Sequence, residues 1–135
     1  MYRVFVSQAA EDTWLAEQMA RSIEELGCST FLDVKSIPKG ADFKEAVRRE
    51  IQRSNELVAL FTPWSAKRSW VWIELGAAWG QSKPVMAVFY GMSVNDLRTG
   101  EQGAAILEDM NVVRLNDFAA YVVELRDRAK AEGLV

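Results

Sequence analysis

Apolar residues along this chain recur with two different periods, one typical of strands and one typical of helices. Leu57–Phe61 is apolar throughout, as expected of a central strand of a parallel sheet that is covered on both faces. The other predicted strands are short runs that contain β-branched or aromatic residues. In chain order, the five predicted strands are Arg3–Ser7, Ser29–Asp33, Leu57–Phe61, Pro84–Tyr90 and Val112–Leu115.

Between these runs, apolar residues at helical spacing predict four helices. Gly27 closes the first helix, and the third runs to about Ser82. The segment 91–110 predicts a loop with one or two short helical turns. The predicted N-caps, in chain order, are Asp12 or Thr13, Asp42, Ser69 and Asp117. The predicted inner face of the second helix carries Phe43, Val47 and Ile51.

Strands and helices alternate along all 135 residues, which predicts one α/β domain (1–135) with a parallel sheet covered by helices on both faces. Five strands favour a flavodoxin-like, doubly wound five-stranded parallel sheet of order 2-1-3-4-5. In that order a ligand crevice opens beyond the carboxyl ends of strands 1 and 3. The loops expected at this crevice are Ser7–Asp12 and Thr62–Arg68.

The helix after strand 3 contains one charged residue in an otherwise apolar run. From Trp70 to Trp79, only Glu74 carries a charge. At helical spacing Trp70 lies one turn before Glu74, and Ala77 and Ala78 lie one turn after it. Because burial of a lone charge is costly, a buried carboxylate here needs a partner or a function. The alternative is an ordinary helix glutamate that reaches solvent. Its predicted place beside the crevice supports a functional residue as much as an ordinary one, so both interpretations stay open at this point.

Composition removes several classes of site. The chain has no histidine, which excludes Ser-His-Asp and Cys-His catalysis and histidine-based metal sites. A net charge of −3 without a basic block argues against nucleic acid as a partner. No apolar run of membrane-spanning length is present, and Asp and Glu do not cluster at metal-ligand spacing. A single cysteine, Cys28, allows no internal disulfide and fits the cytoplasm. There is no glycine-rich phosphate loop after strand 1.

An ordered set of motifs resembles the Toll/interleukin-1 receptor (TIR) domain family. The resemblance covers residues 3 to about 90, and continues more loosely to about 132. The run Glu-Leu-Gly-Ala-Ala and the compact length resemble the bacterial branch. The segments that carry the resemblance are Val4–Ser7 with Glu11 and Asp12, Phe31–Asp33 with Ile37–Gly40, Ser54, Ser65, and Ser69–Leu75.

This resemblance implies an enzyme that cleaves the nicotinamide–ribose bond of NAD+, with NAD+ as substrate and neither a cofactor nor a metal. It places the catalytic glutamate on Glu74. The products would be nicotinamide and ADP-ribose or a cyclic ADP-ribose, in bacterial immune signalling in the cytoplasm; the choice between hydrolase and cyclase stays open. The implied substrate-binding residues are Ser7, Gln8, Ala9, Phe31, Asp33, Lys39, Ser65 and Trp70.

One departure concerns the phosphates. Some NAD-cleaving TIR domains carry arginines after strand 1, where this chain has Ala9 and Ala10. Phosphate contacts would then come from backbone N–H groups, Lys39 or a neighbouring protomer.

The resemblance also implies self-association or binding to other TIR domains. The implied interface residues are Ile37, Pro38 and Gly40 of the loop Val34–Ala41, with Trp72 and Trp79. Two other functions stay open. One is a non-catalytic TIR adaptor that acts by TIR–TIR self-association, and the other is another flavodoxin-like glycosidic enzyme such as a nucleoside deoxyribosyltransferase.

Overall fold

The computed structural model of the protein describes residues 1–32, 43–98 and 110–134. The strands are β1 (Arg3–Ser7), β2 (Ser29–Leu32), β3 (Glu56–Phe61), β4 (Val85–Phe89) and β5 (Asn111–Arg114). The helices are α1 (Thr13–Glu24), α2 (Phe43–Arg53), α3 (Ser69–Gly80), α4 (Val94–Arg98) and α5 (Phe118–Ala131).

The strands form one parallel sheet of order β2-β1-β3-β4-β5, which confirms the predicted fold class and strand order. In β1, Val6 pairs with Leu32 of β2 on one side and with Val58 of β3 on the other. Every residue of β3 is buried, as the uninterrupted apolar run predicted. Because all five strands run the same way, the ends of β1 and β3 lie at one edge of the sheet, called here the carboxyl edge.

Alternation along the strands divides the core into two halves. Val4 and Val6 of β1 belong to the half formed with α1 and α5, while Phe5 belongs to the half formed with α2 and α3. The second half includes Val47 and Ile51 of α2, which confirms two of the predicted inward positions. Because both helices contribute residues to this half of the core, α2 and α3 lie side by side over the same face of the sheet.

A buried polar cluster at the amino edge of the sheet lies in the other half. Glu56, the first residue of β3, is 1% exposed and accepts hydrogen bonds from the hydroxyls of Tyr2 (2.5 Å) and Tyr121. Arg128 of α5 donates to both carboxylate oxygens, from Nε at 2.9 Å and from Nη2 at 3.0 Å. The sequence prediction began this strand at Leu57 and therefore missed the cluster. The nearby glutamate and burial together raise the pKa values of both tyrosines, burial being the larger cause.

Of the three predicted helix starts among the described residues, one differs in position and two agree. Ser69 is the first helical residue of α3 and not its N-cap; Arg68 holds that position with extended backbone and no side-chain capping bond. Asp12 and Asp117 do occupy N-cap positions, but neither carboxylate caps its helix. The Asp117 carboxylate pairs with Arg114 instead, at 3.0 Å. Gly27 follows α1 with a φ of 91°, which confirms it as the residue that closes that helix.

The structure leaves part of the prediction untested. The predicted cap Asp42, the whole loop Val34–Ala41 and residues 99–109 of the segment predicted as a loop lie outside the described residues. Within the described ranges, no helix has the length and apolarity needed to cross a membrane.

Candidate functional site

The site centres on Glu74, in the second turn of α3. Its side chain is 0% exposed, in agreement with burial as predicted from the apolar run. Its Oε1 atom accepts a hydrogen bond of 2.6 Å from the hydroxyl of Ser7, the last residue of β1. Ser7 is itself fully buried. A carboxylate held by a donor in a dry environment keeps a fixed orientation, which is what electrostatic catalysis requires.

Glu74 lines a cavity of about 320 Å³ between α2 and α3. Trp70, one turn earlier on α3, lines the same cavity, and so does Ala77, one turn later. Ala78 does not: it is fully buried in the core, so only one of the two predicted small neighbours faces this space. The residues that line the cavity are Lys44, Val47, Arg48, Ile51, Trp70, Ile73, Glu74 and Ala77.

Phe31 of β2 lies in the core and does not line this cavity. Its ring centroid is 5.2 Å from that of Phe5, with an angle of 33° between the rings. The guanidinium carbon of Arg3 lies 5.8 Å from the Phe31 centroid, within the range of a cation–π contact. Packing therefore accounts for the contacts of this ring, and its predicted role as a substrate contact stays a prediction.

The residues after β1 are buried at the carboxyl edge. Gln8 and Ala9 are each 4% exposed. Neither the Oε1 nor the Nε2 atom of Gln8 has a hydrogen-bond partner among the described residues. Buried amides without partners are uncommon in folded proteins, and each such group costs about 1–3 kcal/mol. Gln8 thus offers an unsatisfied donor and acceptor directly beside the residue that binds Glu74.

The loop after β3 is fixed by its own polar groups. The Ser65 hydroxyl accepts from the Thr62 N–H at 2.8 Å and donates to the Leu60 carbonyl at 2.8 Å. The Thr62 hydroxyl donates to Oδ2 of Asp12 at 2.6 Å, which ties this loop to the one after β1. Burial raises the pKa of Asp12, whereas the bond from Thr62 opposes that rise. Ser65 thus holds a turn, and its substrate-binding role stays a prediction.

A second contact joins the same two loops at the surface. Arg68 forms an ion pair with Glu11. A backbone hydrogen bond, followed by the bond from Arg68, lowers the pKa of Glu11. The two loops therefore form one connected unit at the carboxyl edge.

The sequence model of the TIR domain family matches residues 4–126. The chain belongs to the TIR domain family. No curated protein shows a significant sequence match to this TIR domain.

Three solved structures share its fold at low sequence identity. The TIR domain of the Toll-related receptor TRR-2 from Hydra magnipapillata has a TM-score of 0.69 and 20% identity, over 97% of this chain and 98% of the other. The TIR-STING receptor of C. gigas has a TM-score of 0.72 and 20% identity, over 93% of this chain and 39% of the other. The Clostridium botulinum CMP N-glycosidase BcmB has a TM-score of 0.61 and 17% identity, over 91% of this chain and 97% of the other.

The two predicted interface tryptophans of this TIR domain have different surroundings. Trp72 is partly buried; its ring centroid lies 5.0 Å from that of Phe61, and its Nε1 donates to the Ala66 carbonyl at 3.0 Å. Trp79 is about half exposed and is accessible to a partner. The remaining predicted site and interface residues, Asp33, Ile37, Pro38, Lys39 and Gly40, lie outside the described residues.

Sequence reasoning missed two basic residues at the cavity of this TIR domain. Lys44 and Arg48 of α2 line it together with Glu74. A signal was available, because Lys44, Val47, Arg48 and Ile51 follow the i, i+3, i+4, i+7 spacing of one helical stripe. The prediction used only the apolar members of that stripe.

Proposed function

We propose that this TIR domain cleaves the nicotinamide–ribose bond of NAD+, with Glu74 as the catalytic carboxylate. The observation that carries the proposal is a fully buried glutamate that is oriented by Ser7 and lines a cavity beside Trp70. Two further observations support the same activity. The chain belongs to the TIR domain family. In this fold a ligand is also expected at the carboxyl edge of the sheet.

The chemistry suits a site without histidine. When the bond between C1′ and the pyridinium nitrogen breaks, its electron pair goes to the nitrogen, and nicotinamide leaves as a neutral molecule. No general acid is therefore required. Positive charge develops on the ribose, and the fixed Glu74 carboxylate stabilises it electrostatically. Water then attacks C1′ and loses a proton to give ADP-ribose, or a nitrogen of the adenine attacks to give a cyclic product.

Trp70 and Gln8 have roles in this proposal as well. The indole of Trp70 lines the cavity next to Glu74 and offers a flat face to the nicotinamide ring. The unsatisfied amide of Gln8 supplies a donor and an acceptor for a polar ligand at the carboxyl edge. We include in the proposal a bacterial-type TIR domain that acts in the cytoplasm, with its product as an immune signal.

The experiment measures nicotinamide released from NAD+ by chromatography, with concentrated protein, with and without a crowding agent. Glu74→Gln keeps the size and removes the charge, so we expect release to fall at least 100-fold. Glu124→Gln is the matched control, because Glu124 is an exposed glutamate on α5 that does not line this cavity. The remaining peaks distinguish hydrolysis from cyclisation. Absence of release from the unmodified protein under every assembling condition contradicts the proposal.

A second candidate function is non-catalytic TIR–TIR self-association. Exposed aromatic side chains favour it, above all Trp14 at 69% exposed and Trp64 at 55%. Interfaces are enriched in such residues. Light scattering over a range of protein concentrations tests self-association. If NAD+ cleavage increases as the protein assembles, catalysis depends on self-association. CMP is included as a substrate in the chromatographic assay, since the similarity to BcmB keeps nucleotide glycosidase activity as a third candidate.

A further inference from the structure

We propose that Lys44 and Arg48 form a phosphate-binding rim on the Glu74 cavity, so that the site selects ribosides that carry a phosphate. The inference rests on the proposed function. It provides cations for the substrate phosphates, because the loop after β1 has Ala9 and Ala10 where some NAD-cleaving TIR domains carry arginines. Both residues line the cavity, and both are exposed, whereas Glu74 in the same cavity is fully buried.

This arrangement separates the charges by depth. A carboxylate lies at the buried end of the cavity and two cations lie where it meets solvent. A phosphorylated riboside has the complementary arrangement, since positive charge develops at C1′ during cleavage and the negative charge lies on the phosphate at the other end of the ribose. Lys44 and Arg48 are one helical turn apart, so their head groups can share one phosphate group or a diphosphate.

The cavity volume agrees with a substrate whose phosphates lie at the mouth of the cavity. At about 320 Å³ it lies near the lower end of the range of small-molecule sites, about 300–1,000 Å³. A space of this size accommodates the nicotinamide and ribose, and the phosphates of the substrate then extend to the mouth, where the cations are.

The two cations are available to bind an anion. Arg48 has an ion pair with Glu45, but the N–O distance is 3.6 Å and both side chains are at least half exposed. Exposed ion pairs of this kind contribute little to stability, so Arg48 can leave Glu45 to bind a phosphate. The protein as a whole carries a net charge of −3, and a local pair of cations offsets the repulsion that this charge exerts on an anionic substrate.

The test compares the double variant Lys44→Met/Arg48→Met with the unmodified protein on three substrates. NAD+ and nicotinamide mononucleotide carry phosphate, whereas nicotinamide riboside does not. We expect KM for the two phosphorylated substrates to rise about 10-fold or more, with kcat within about twofold, and the kinetics on nicotinamide riboside to stay the same. Arg49→Met is the matched control: it lies on α2, is exposed and does not line the cavity.

A direct binding measurement keeps the rim testable apart from catalysis. ADP-ribose binding is measured by calorimetry for the same proteins, after circular dichroism has shown that each is folded. We expect the double variant to bind about 10-fold more weakly and the Arg49 variant to bind normally. Equal binding by all three proteins, or no binding to the unmodified protein, overturns the rim. If the proteins release nicotinamide and the double variant has an unchanged KM, the rim is overturned and the proposed function stands. If the unmodified protein releases no nicotinamide but the double variant binds ADP-ribose more weakly, the proposed function is overturned and the rim stands.

Discussion

The hydroxyl of Ser7 donates a hydrogen bond of 2.6 Å to Oε1 of Glu74, and so joins two residues that are 67 positions apart in the chain. Both side chains are fully buried. The bond ties α3 to the carboxyl end of β1 and fixes the orientation of the carboxylate relative to the cavity. Ser7 therefore contributes to the site through its side chain and not only through its backbone.

Removal of this donor should lower catalysis more than binding. We expect Ser7→Ala to lower kcat for nicotinamide release about 10-fold, with a smaller change in KM, because Glu74 loses the group that orients it. Ser7→Thr keeps a hydroxyl and should retain most of the activity. Ser54→Ala is the control, since Ser54 is also buried and its hydroxyl donates to the Glu50 carbonyl, away from the cavity. Equal kcat values for Ser7→Ala and the unmodified protein would contradict a positioning role.

Loss of the guanidinium at the amino edge should destabilise the fold. We expect Arg128→Met to lower the free energy of unfolding by about 3 kcal/mol, because Glu56 would remain buried without its bidentate partner. Urea denaturation measures the change. Arg126→Met is an exposed control on the same helix, expected to change stability by less than about 0.5 kcal/mol. A loss below about 1 kcal/mol for the Arg128 variant would mean that the two tyrosines alone satisfy Glu56.

Asp12 should make stability depend on pH in the acidic range. Burial raises its pKa in the folded protein above the ordinary value, so the folded state binds a proton more tightly than the unfolded chain does. Its contribution to stability therefore decreases as pH rises from the unfolded pKa, about 3.9, through the raised folded value, and is constant above it. Asp12→Asn still accepts the bond from Thr62 but does not ionise.

The measurement is the free energy of unfolding of both proteins from pH 3 to pH 8. We expect the Asp12→Asn variant to gain stability relative to the unmodified protein as pH rises through that window. Parallel curves over the whole range would show that Asp12 ionises at its ordinary pKa in the folded protein.

Ser82 is a site for a stabilising substitution. It follows α3 with a φ of 58°, a conformation that favours glycine. We expect Ser82→Gly to raise the free energy of unfolding by about 0.5 kcal/mol, since relief of strain in the folded state exceeds the added entropy of the unfolded chain. Thermal denaturation measures the gain, and Ser82→Ala, which keeps the strain, should show none. A gain with alanine equal to that with glycine would point to the side chain and not to the backbone.

Local patterns were enough to predict the sheet and its strand order. Alternating strands and helices specify a parallel sheet, and the single charge among the apolar residues of α3 marked Glu74. The burial of Glu56 was not predicted, because a charged residue at the start of an apolar run resembles the boundary of a strand. Its burial depends on Tyr2, Tyr121 and Arg128, which no local pattern connects to it.

The cavity and the caps show the same limit. Sequence spacing placed Trp70 and Ala77 beside Glu74, but it did not show that α2 packs against α3 and brings Lys44 to the same space. Asp12 was a reasonable N-cap by residue type, yet its carboxylate bonds to Thr62, a tertiary partner 50 positions away. Residue type predicts what a side chain can bind, whereas the fold decides which partner is within reach.

The Glu56 cluster also determines how the domain can be attached to other modules. Tyr2 and Arg128, which lie near the two ends of the chain, both bind Glu56 at the amino edge of the sheet, whereas Glu74 binds Ser7 at the carboxyl edge. Asn55 and Glu132 add a contact of 3.4 Å at the same amino edge. A linker fused at either end would therefore leave the domain from the side opposite Glu74. Sensor or oligomerisation modules can be joined there without obstructing the Glu74 carboxylate.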